Sequence, residues 1–187
     1  MMEALQKKER YTYADYEQWG DDYPRCELID GVVYMMASPS RVHQQISGRL
    51  LFQLQLFLHG KTCEVYHAPF DVRLNYAAAD DTVVQPDLLV VCDMSKLENG
   101  KHCLGAPDLV IEILSPSNTD RDMMTKFKKY LKAKVREYWV VDTDDKTVVA
   151  YRLLDTQYIA TVYEANDEIP VVVLEGCAIR LSEVFAE

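Results

Sequence analysis

The chain has 187 residues, a length that suits one domain. Hydrophobic residues make up 49% of it, which is enough for a packed core and excludes a wholly disordered protein. The formal net charge of −10 excludes a general electrostatic attraction to nucleic acid, so a nucleic-acid-binding function would require a local basic surface.

The first residues, MMEALQKKER, are charged and have no apolar stretch behind them, so they differ from a secretory signal. The sequence also lacks an apolar run close to the roughly 20 residues that a membrane-spanning helix needs. We expect residues 1–10 to form a tail, residues 11–187 to form a single domain, and the protein to be cytoplasmic with no membrane contact.

A short helix and a hairpin are predicted next. Residues 12–19 are typical of a short helix capped by Thr12. In CELIDGVVYMM, residues 26–36, Asp30 and Gly31 are the pair that a type I′ turn favours, because both central residues of that turn need a positive φ.

A longer helix is predicted to begin after Ser38 or Ser40 and to end near His59, where Gly60 stops it. Apolar residues recur along it every three or four positions and predict a buried stripe, which consists of Val42, Ile46, Leu50, Leu54 and Phe57.

The rest of the chain predicts mainly strands. They lie near residues 63–67, 70–75, 83–92, 107–115, 137–142, 147–154, 157–163 and 169–173. A helix from about Thr119 to Lys134 interrupts them, and a terminal turn is expected at 181–186. This order predicts an α/β (α+β) domain with a mixed sheet flanked by helices.

Two acids interrupt apolar strands. Glu112 lies in PDLVIEILS (107–115), a run that predicts a central strand covered on both faces. Asp87 follows Pro86 and precedes LLVV (88–91). Each acid has an ordinary interpretation, Glu112 as the partner of an interior cation and Asp87 as a turn residue. Because two such acids on neighbouring strands could share one hard cation, we interpret them as ligands of Mg²⁺.

The helix near 119–134 supplies the basic surface that the overall charge lacks. Between 121 and 136 there are seven Lys and Arg residues and one acid, Asp122. A helical wheel places Met123, Met124, Phe127, Tyr130 and Leu131 on one face. Lys126 and Lys128 flank this face, whereas Lys129 and Lys132 point away from it. The wheel does not choose between Lys126 and Lys128 as a cation beside the two acids, and the outer lysines also fit an ordinary solvated face.

The order of several segments resembles the Uma-two family of the PD-(D/E)XK nuclease superfamily, whose members are described as restriction endonucleases. The resemblance runs from about Tyr11 to the end of the chain. Its segments are YPRCELIDGVVY, SPSRVHQQI, VVQPDLLVV, APDLVIEILSPSN, TDRDMMTKFKKY and REYWVVD.

The resemblance implies a nuclease-like core in which Pro86-Asp87 is the PD element and Glu112 is the (D/E). The superfamily's lysine two residues later is Leu114 here. The resemblance implies that this lysine has moved to the following helix, at Lys126. Glu27 and His43 match residues of the family whose roles are less clear. From its helical position alone, His43 fits a core or hydrogen-bonding histidine or a neighbour of the site.

The predicted function is Mg²⁺-dependent hydrolysis of DNA phosphodiester bonds, with Mn²⁺ as a possible substitute. Asp87 and Glu112 would hold the metal, helped by Glu27 and the carbonyl of Ile113, and Lys126 would stabilise the transition state or orient water. Lys128, Lys129 and Lys132 would bind neighbouring phosphates. A homodimer is expected from the resemblance and from symmetry. Two alternatives are a non-catalytic nucleic-acid- or protein-binding module with this fold and a hydrolase of smaller phosphate esters.

The remaining acids and cysteines are predicted to be structural. Asp108 is expected to start a strand, and Asp142, Asp144 and Asp145 are expected to form a hairpin turn rather than a calcium loop. Five cysteines with no close pair predict neither a disulfide framework nor a zinc site, so we expect buried thiols.

Overall fold

The computed structural model describes residues 8–20, 23–115 and 120–186, except for the side chains of residues 120–122. Within these ranges the α-helices are α1 (Tyr13–Gln18), α2 (Arg41–Leu58), α3 (Asp120–Ala133) and α4 (Leu181–Val184). Most of the predicted tail, the predicted helix start at Thr119, and the side chains of Arg121 and Asp122 lie outside the described residues.

The strands are short before α3 and longer after it. They are β1 (Cys26–Ile29), β2 (Val32–Met35), β3 (Glu64–His67), β4 (Val72–Arg73), β5 (Val83–Val84), β6 (Leu88–Val91), β7 (Cys103–Leu104), β8 (Leu109–Ile113), β9 (Glu137–Asp142), β10 (Thr147–Leu154), β11 (Gln157–Glu164), β12 (Glu168–Pro170) and β13 (Ala178–Arg180). The sequence did not predict β7 or β13, because two or three residues are too few to show a period.

The strands form two mixed sheets and a small ribbon. The six-stranded sheet has the order β11-β10-β9-β8-β6-β3, and its β8 and β9 are parallel. The five-stranded sheet has the order β2-β1-β5-β4-β7, and β12 pairs with β13. The predicted α+β class with a mixed sheet and flanking helices is confirmed.

The predicted continuous strand at 83–92 is wrong. Its first part, β5, lies in the five-stranded sheet, and its second part, β6, lies in the six-stranded sheet. Pro86 has no N–H to continue a ladder, and the N–H of Gln85 is donated to a carboxylate oxygen of Glu27 at 2.8 Å instead of to a strand. The break therefore places residues 85–87 at the junction of the two sheets.

Local signals in the first half of the chain are confirmed. Thr12 caps α1, and its N–H is donated to Asp15 at 3.0 Å. Asp30 and Gly31 have φ of 50° and 76°, as a type I′ turn requires. Ser40, rather than Ser38, caps α2, since its hydroxyl accepts the N–H of His43 at 3.2 Å.

Two hydrophobic cores cover the two faces of the six-stranded sheet. On one face α2 buries Ile46, Leu50 and Leu54 as predicted. Two members of the predicted stripe are corrected, since Val42 is 43% exposed and Phe57 is only partly buried. The buried line instead begins at His43 and ends at Leu58. On the other face α3 packs Tyr130 against Tyr138, with Val110 and Leu89 beneath them.

The prediction of free thiols is wrong for two of the five cysteines. Cys63 and Cys92 form a disulfide. They are adjacent because Glu64 pairs with Val91 across β3 and β6, and Cys63 and Cys92 are the next residues outward. The sequence spacing gave no sign of this long-range pairing. Cys26, Cys103 and Cys177 are free and buried, as expected.

None of the described helices combines the length and the apolar composition needed to cross a membrane.

Candidate active site

A cavity of about 200 Å³ lies at the junction of the two sheets. β1 contributes Glu27 to its lining, the break before β6 contributes Asp87, β8 contributes Glu112, and α3 contributes Lys126. His43 reaches the same cavity from the first turn of α2. Thus the structure brings together all five residues that the sequence singled out for the centre of the site.

Glu112 points toward α3 because side chains alternate along β8. Ile111 and Ile113 belong to the core on the α2 side, and Val110 belongs to the core on the α3 side. Glu112 shares the side of Val110 and is only 8% exposed. An acid in this position needs polar partners, because an unpaired carboxylate is costly to bury.

Those partners come from α3. The ammonium Nζ of Lys126 lies 3.0 Å from Oε1 of Glu112, and the hydroxyl of Tyr130 donates to the same oxygen at 2.6 Å. Lys126 Nζ also lies 2.9 Å from Oε1 of Glu27 on β1. One lysine therefore joins acids from both sheets. Glu112 is therefore paired with an interior cation, as its ordinary interpretation predicted. This pairing is compatible with a metal-ligand role.

Of the two lysines that flank the apolar face of α3, Lys126 is the one that lies beside the acids. Lys126 has a side chain that is only 14% exposed, whereas Lys128 is exposed. Lys132 is also exposed, as predicted.

Two predictions from the helical wheel are wrong. Lys129 does not point away, because its ammonium pairs with Asp30 in the β1–β2 turn and its side chain is only 16% exposed. Met124, predicted for the apolar face, is 53% exposed. The hairpin packs beside α3, where Glu27 contacts Lys126 and Asp30 contacts Lys129, so the covered side of the helix includes both lysines.

Asp87 is held by the backbone of β8 and by α2. Its Oδ2 accepts the N–H of Ile113 at 2.8 Å and lies 3.2 Å from Nε2 of His43. His43 is 6% exposed, and its Nδ1 has no hydrogen-bond partner among the residues that the structure describes. Both acids therefore open on the same cavity, with Asp87 anchored at the end of β8.

The electrostatics of the cluster show an excess of acid. The pKa of Glu112 is raised to about 7, because burial and the negative charges of Glu27 and Asp87 outweigh the opposing effects of Lys126 and the Tyr130 hydroxyl. Burial lowers the pKa of Lys126, but the charges of Glu112 and Glu27 outweigh it and the net shift is upward. Lys126 therefore stays protonated, and it does not fully compensate the acids around it.

His43 lies beside the acids as a second group that can carry positive charge. Burial lowers its pKa, but its hydrogen bond to Asp87 and the charges of Asp87 and Glu112 outweigh burial, so the net shift is upward. The protonated form of the histidine is therefore stabilised beside Asp87.

The donor set fits a hard divalent cation. Asp87 and Glu112 provide carboxylate oxygens. A bound cation would compensate the excess negative charge of the buried acids. Within the described ranges no three His, Cys, Asp or Glu side chains gather as a ready-made ion site. Two carboxylates are nevertheless what Mg²⁺ requires, since it keeps several waters and binds substrate phosphate with the rest of its shell.

Three residues that contact the site or its neighbours were not identified from the sequence. Tyr130 appeared only as a core residue, although a buried tyrosine hydroxyl usually needs a partner, and Lys126 lies one turn before it. Gln85 and Arg25 were not singled out. The Nε and Nη2 atoms of Arg25 donate to Oε1 of Gln85 at 3.2 and 3.0 Å, and no local pattern signals this long-range pair.

The other acids have structural roles. Asp108 accepts from Arg136 at 3.0 Å and from the N–H of Cys92 at 2.8 Å, which confirms its role at a strand start. Asp142 accepts the N–H groups of Asp144 and Asp145 and forms the predicted turn. Glu137 is buried at the first position of β9, level with Leu109 of β8, and accepts a hydrogen bond from Trp139 Nε1 at 2.9 Å.

Comparison with known proteins agrees with this architecture. A family model described as "Uma2: Putative restriction endonuclease" matches residues 13–182. An uncharacterized protein of Synechocystis sp. is 27% identical over 162 residues, which cover 83% of this chain and 81% of that protein. The crystal structure of a "putative nuclease belonging to DUF820" from Anabaena variabilis superposes with a TM-score of 0.77 and 20% sequence identity. It covers 94% of this chain and 98% of its own chain, so the two share a fold.

Proposed function

Because the chain belongs to the family described as "Uma2: Putative restriction endonuclease", we propose that it is a Mg²⁺-dependent endonuclease that hydrolyses DNA phosphodiester bonds. The observation that carries the proposal is the single lysine, Lys126, placed 2.9 and 3.0 Å from Glu27 and Glu112 in the cavity that Asp87 also lines. In such a cluster the acids can bind a metal cation, and the buried ammonium can bind a phosphate.

Asp87 and Glu112 would hold Mg²⁺, and Mn²⁺ can replace Mg²⁺ in experiments, because both ions take oxygen ligands. When bound, the metal supplies Lewis-acid polarisation of the scissile phosphate and a lowered pKa for a coordinated water. His43 orients Asp87 through the 3.2 Å contact. Tyr130 orients Glu112 through its 2.6 Å hydrogen bond.

Lys126 would act on the phosphate itself. In hydrolysis the oxygen of water bonds to phosphorus, one P–O ester bond breaks, a proton from the water ends on the departing sugar oxygen, and negative charge grows on the non-bridging oxygens. The ammonium of Lys126 stabilises that charge, since it stays protonated and lies in a site largely closed to water. Its present partners, Glu27 and Glu112, hold it at the place where the phosphate would arrive.

The exposed lysines of α3 would extend the DNA contact. Lys128 and Lys132 are exposed on the helix that carries Lys126, so they can pair with neighbouring phosphates. Lys129 is included in this proposal, but it would first have to leave Asp30. We also propose that the active form is a cytoplasmic homodimer, because a two-fold pair of sites suits cleavage of two antiparallel strands. Light scattering of the purified chain tests the dimer.

Cleavage of supercoiled plasmid tests the activity. We expect nicking with Mg²⁺ or Mn²⁺, none with EDTA, and a loss of about 100-fold or more for Glu112→Gln. The matched control is Glu137→Gln. Glu137 is a buried acid on β9, level with Leu109 rather than with Glu112 of β8, and this variant should retain activity. Equal digestion by wild type and Glu112→Gln would contradict the proposal.

Two other outcomes would support the alternatives. Tight DNA binding by the wild type without cleavage would favour a binding module, for which Leu114 in place of the strand lysine is the supporting feature. Hydrolysis of a small chromogenic phosphodiester but not of plasmid would favour a hydrolase of smaller esters.

A further inference from the structure

A second cavity, of about 460 Å³, lies beside the first and is walled by aromatic rings. Tyr13, Tyr16 and Trp19 come from α1 and its C-terminal cap, and Tyr23 comes from the segment that follows. The volume is in the range of small-ligand sites, which is roughly 300–1,000 Å³. Trp19 and Tyr23 are only partly buried, so their rings are not simply part of a closed core.

The rings are held in place before any ligand arrives. The ring centroids of Tyr16 and Trp19 are 5.4 Å apart, and those of Trp19 and Tyr23 are 4.9 Å apart. The hydroxyl of Tyr16 donates to Asp71 at 3.2 Å. An ordered aromatic wall offers a face on which a flat ring can stack with little loss of side-chain entropy.

Polar groups in the same cavity can bond to the edge of such a ring. Asp71 supplies a carboxylate, whereas the amide of Gln85 and the ring nitrogens of His102 are already bonded to protein groups. The Nε2 atom of Gln85 donates to Asp71 Oδ1 at 2.8 Å, so Gln85 fixes the orientation of the carboxylate. Aromatic faces combined with fixed donors and acceptors are the features by which proteins bind a nucleobase outside a helix.

Arg25 and Gln85 connect this cavity to the candidate active site. Arg25 lines both cavities. The side chain of Gln85 lines the aromatic cavity, while its N–H is donated to Glu27 in the other. Next to Arg25, Cys26 lines the aromatic cavity and Glu27 lines the acidic one, so the two cavities lie on either side of the start of β1.

We propose that the aromatic cavity binds a nucleobase turned out of the stack near the cleaved phosphate, with the guanidinium of Arg25 between them on the sugar–phosphate backbone. This inference rests on the proposed nuclease function and adds a substrate feature to it, namely an unpaired or easily unpaired nucleotide. The aromatic wall receives the face of the base, and the carboxylate of Asp71, held in place by Gln85, accepts a hydrogen bond from its edge.

Tryptophan fluorescence tests the site directly, because the chain has two tryptophans and Trp139 is fully buried. In EDTA, so that no cleavage occurs, the wild type is titrated with a short single-stranded oligothymidylate. The matched ligand is an abasic oligonucleotide of equal length and charge. We expect oligothymidylate to quench Trp19 and to bind about 10- to 100-fold more tightly than the abasic strand.

Variants separate stacking from charge. Trp19→Phe should lose the quenching and keep most of the affinity measured by fluorescence anisotropy, whereas Trp19→Ala and Tyr23→Ala should each weaken binding about 10-fold or more. Phe52→Ala, which removes a 64% exposed ring that lines neither cavity, is the control and should bind as the wild type does. Equal affinity for the abasic strand, or unchanged affinity in Trp19→Ala, would overturn the proposal.

The plasmid assay distinguishes this failure from failure of the nuclease proposal. Plasmid cleavage without base-dependent binding rejects the base site and leaves the nuclease function intact. Base-dependent quenching without cleavage under any metal condition supports the base site in a binding module and rejects the nuclease function.

Discussion

Lys126 Nζ lies 3.0 Å from Oε1 of Glu112, although one residue belongs to a helix and the other to a strand. The superfamily pattern would place a lysine at position 114, where this chain has leucine. The N–H of Leu114 bonds to the carbonyl of Val141 at 2.8 Å, so residue 114 continues the sheet ladder and contributes no charge. The positive charge of the site consequently depends on how α3 packs against the sheet.

Replacement of Lys126 should affect activity far more than replacement of Lys128. Lys126→Met keeps an apolar stem and removes the ammonium that contacts Glu27 and Glu112, so we expect plasmid cleavage to fall by about 100- to 1,000-fold. Lys128→Ala removes an exposed lysine two positions away and should retain activity within a few-fold. Thermal unfolding should confirm that both variants are folded. Similar losses in both would show that the helix acts only through its overall charge.

Tyr130→Phe should shift the pH dependence of cleavage. The Tyr130 hydroxyl stabilises ionised Glu112 through a 2.6 Å hydrogen bond, so its removal should raise the pKa of Glu112 further. The acid limb of the pH–rate profile should then move to higher pH, with a stability loss of about 1–2 kcal/mol. Tyr138→Phe alters a buried ring 4.9 Å from that of Tyr130 and should leave the acid limb in place. An unchanged limb in Tyr130→Phe would argue against this role.

Glu112 should also make the stability of the metal-free protein depend on pH. Because burial raises the pKa of Glu112 from 4.5 to about 7, its protonated form is favoured by folding. Its contribution to stability is fully present below pH 4.5 and is lost as pH rises through about 7. The free energy of unfolding of wild type minus that of Glu112→Gln should therefore fall by about 1–3 kcal/mol from about pH 5 to about pH 8.

Urea denaturation in EDTA measures this difference. Asp144→Asn, which changes an exposed acid in the β9–β10 turn, provides the control. A difference that stays constant or rises with pH would mean that Glu112 is ionised throughout the range.

The lysines of α3 should differ in their contribution to DNA affinity. Lys128→Ala and Lys132→Ala should each reduce the slope of log affinity against log salt by about one, because each removes one exposed phosphate contact. Lys129→Ala should change it less, since the ammonium of Lys129 already pairs with Asp30. Anisotropy of a labelled duplex in EDTA at several salt concentrations measures the slopes. Equal slopes for all variants and wild type would place the DNA contact elsewhere.

Local sequence signals predicted most of the secondary structure. The type I′ turn at Asp30-Gly31 and the bounds of β9 and β10 followed from residue type and period, which are local properties. Pro86 was seen to interrupt a strand, but the change of sheet at this residue depends on long-range partners and was not predicted. The same holds for the Cys63–Cys92 disulfide, which depends on the register of β3 and β6.

The site was predictable in composition and less so in arrangement. Interior acids such as Glu112 stand out because they interrupt apolar strands. The helical wheel did not decide whether Lys126 or Lys128 lies beside the acids, because a wheel does not show how α3 packs against the hairpin and the sheet. The wheel therefore misplaced Lys129, whose partner lies 99 positions away in sequence.

Metal binding tests the central claim most directly, which is that Asp87 and Glu112 hold one divalent cation beside Lys126. Equilibrium titration with Mn²⁺, followed by electron paramagnetic resonance of the free ion, should give one site per chain in the wild type and in Glu137→Gln. Asp87→Asn and Glu112→Gln should each weaken it by at least about 10-fold, since each removes one of two carboxylate ligands. Unchanged Mn²⁺ affinity in both of these variants, with both proteins folded, would contradict the account.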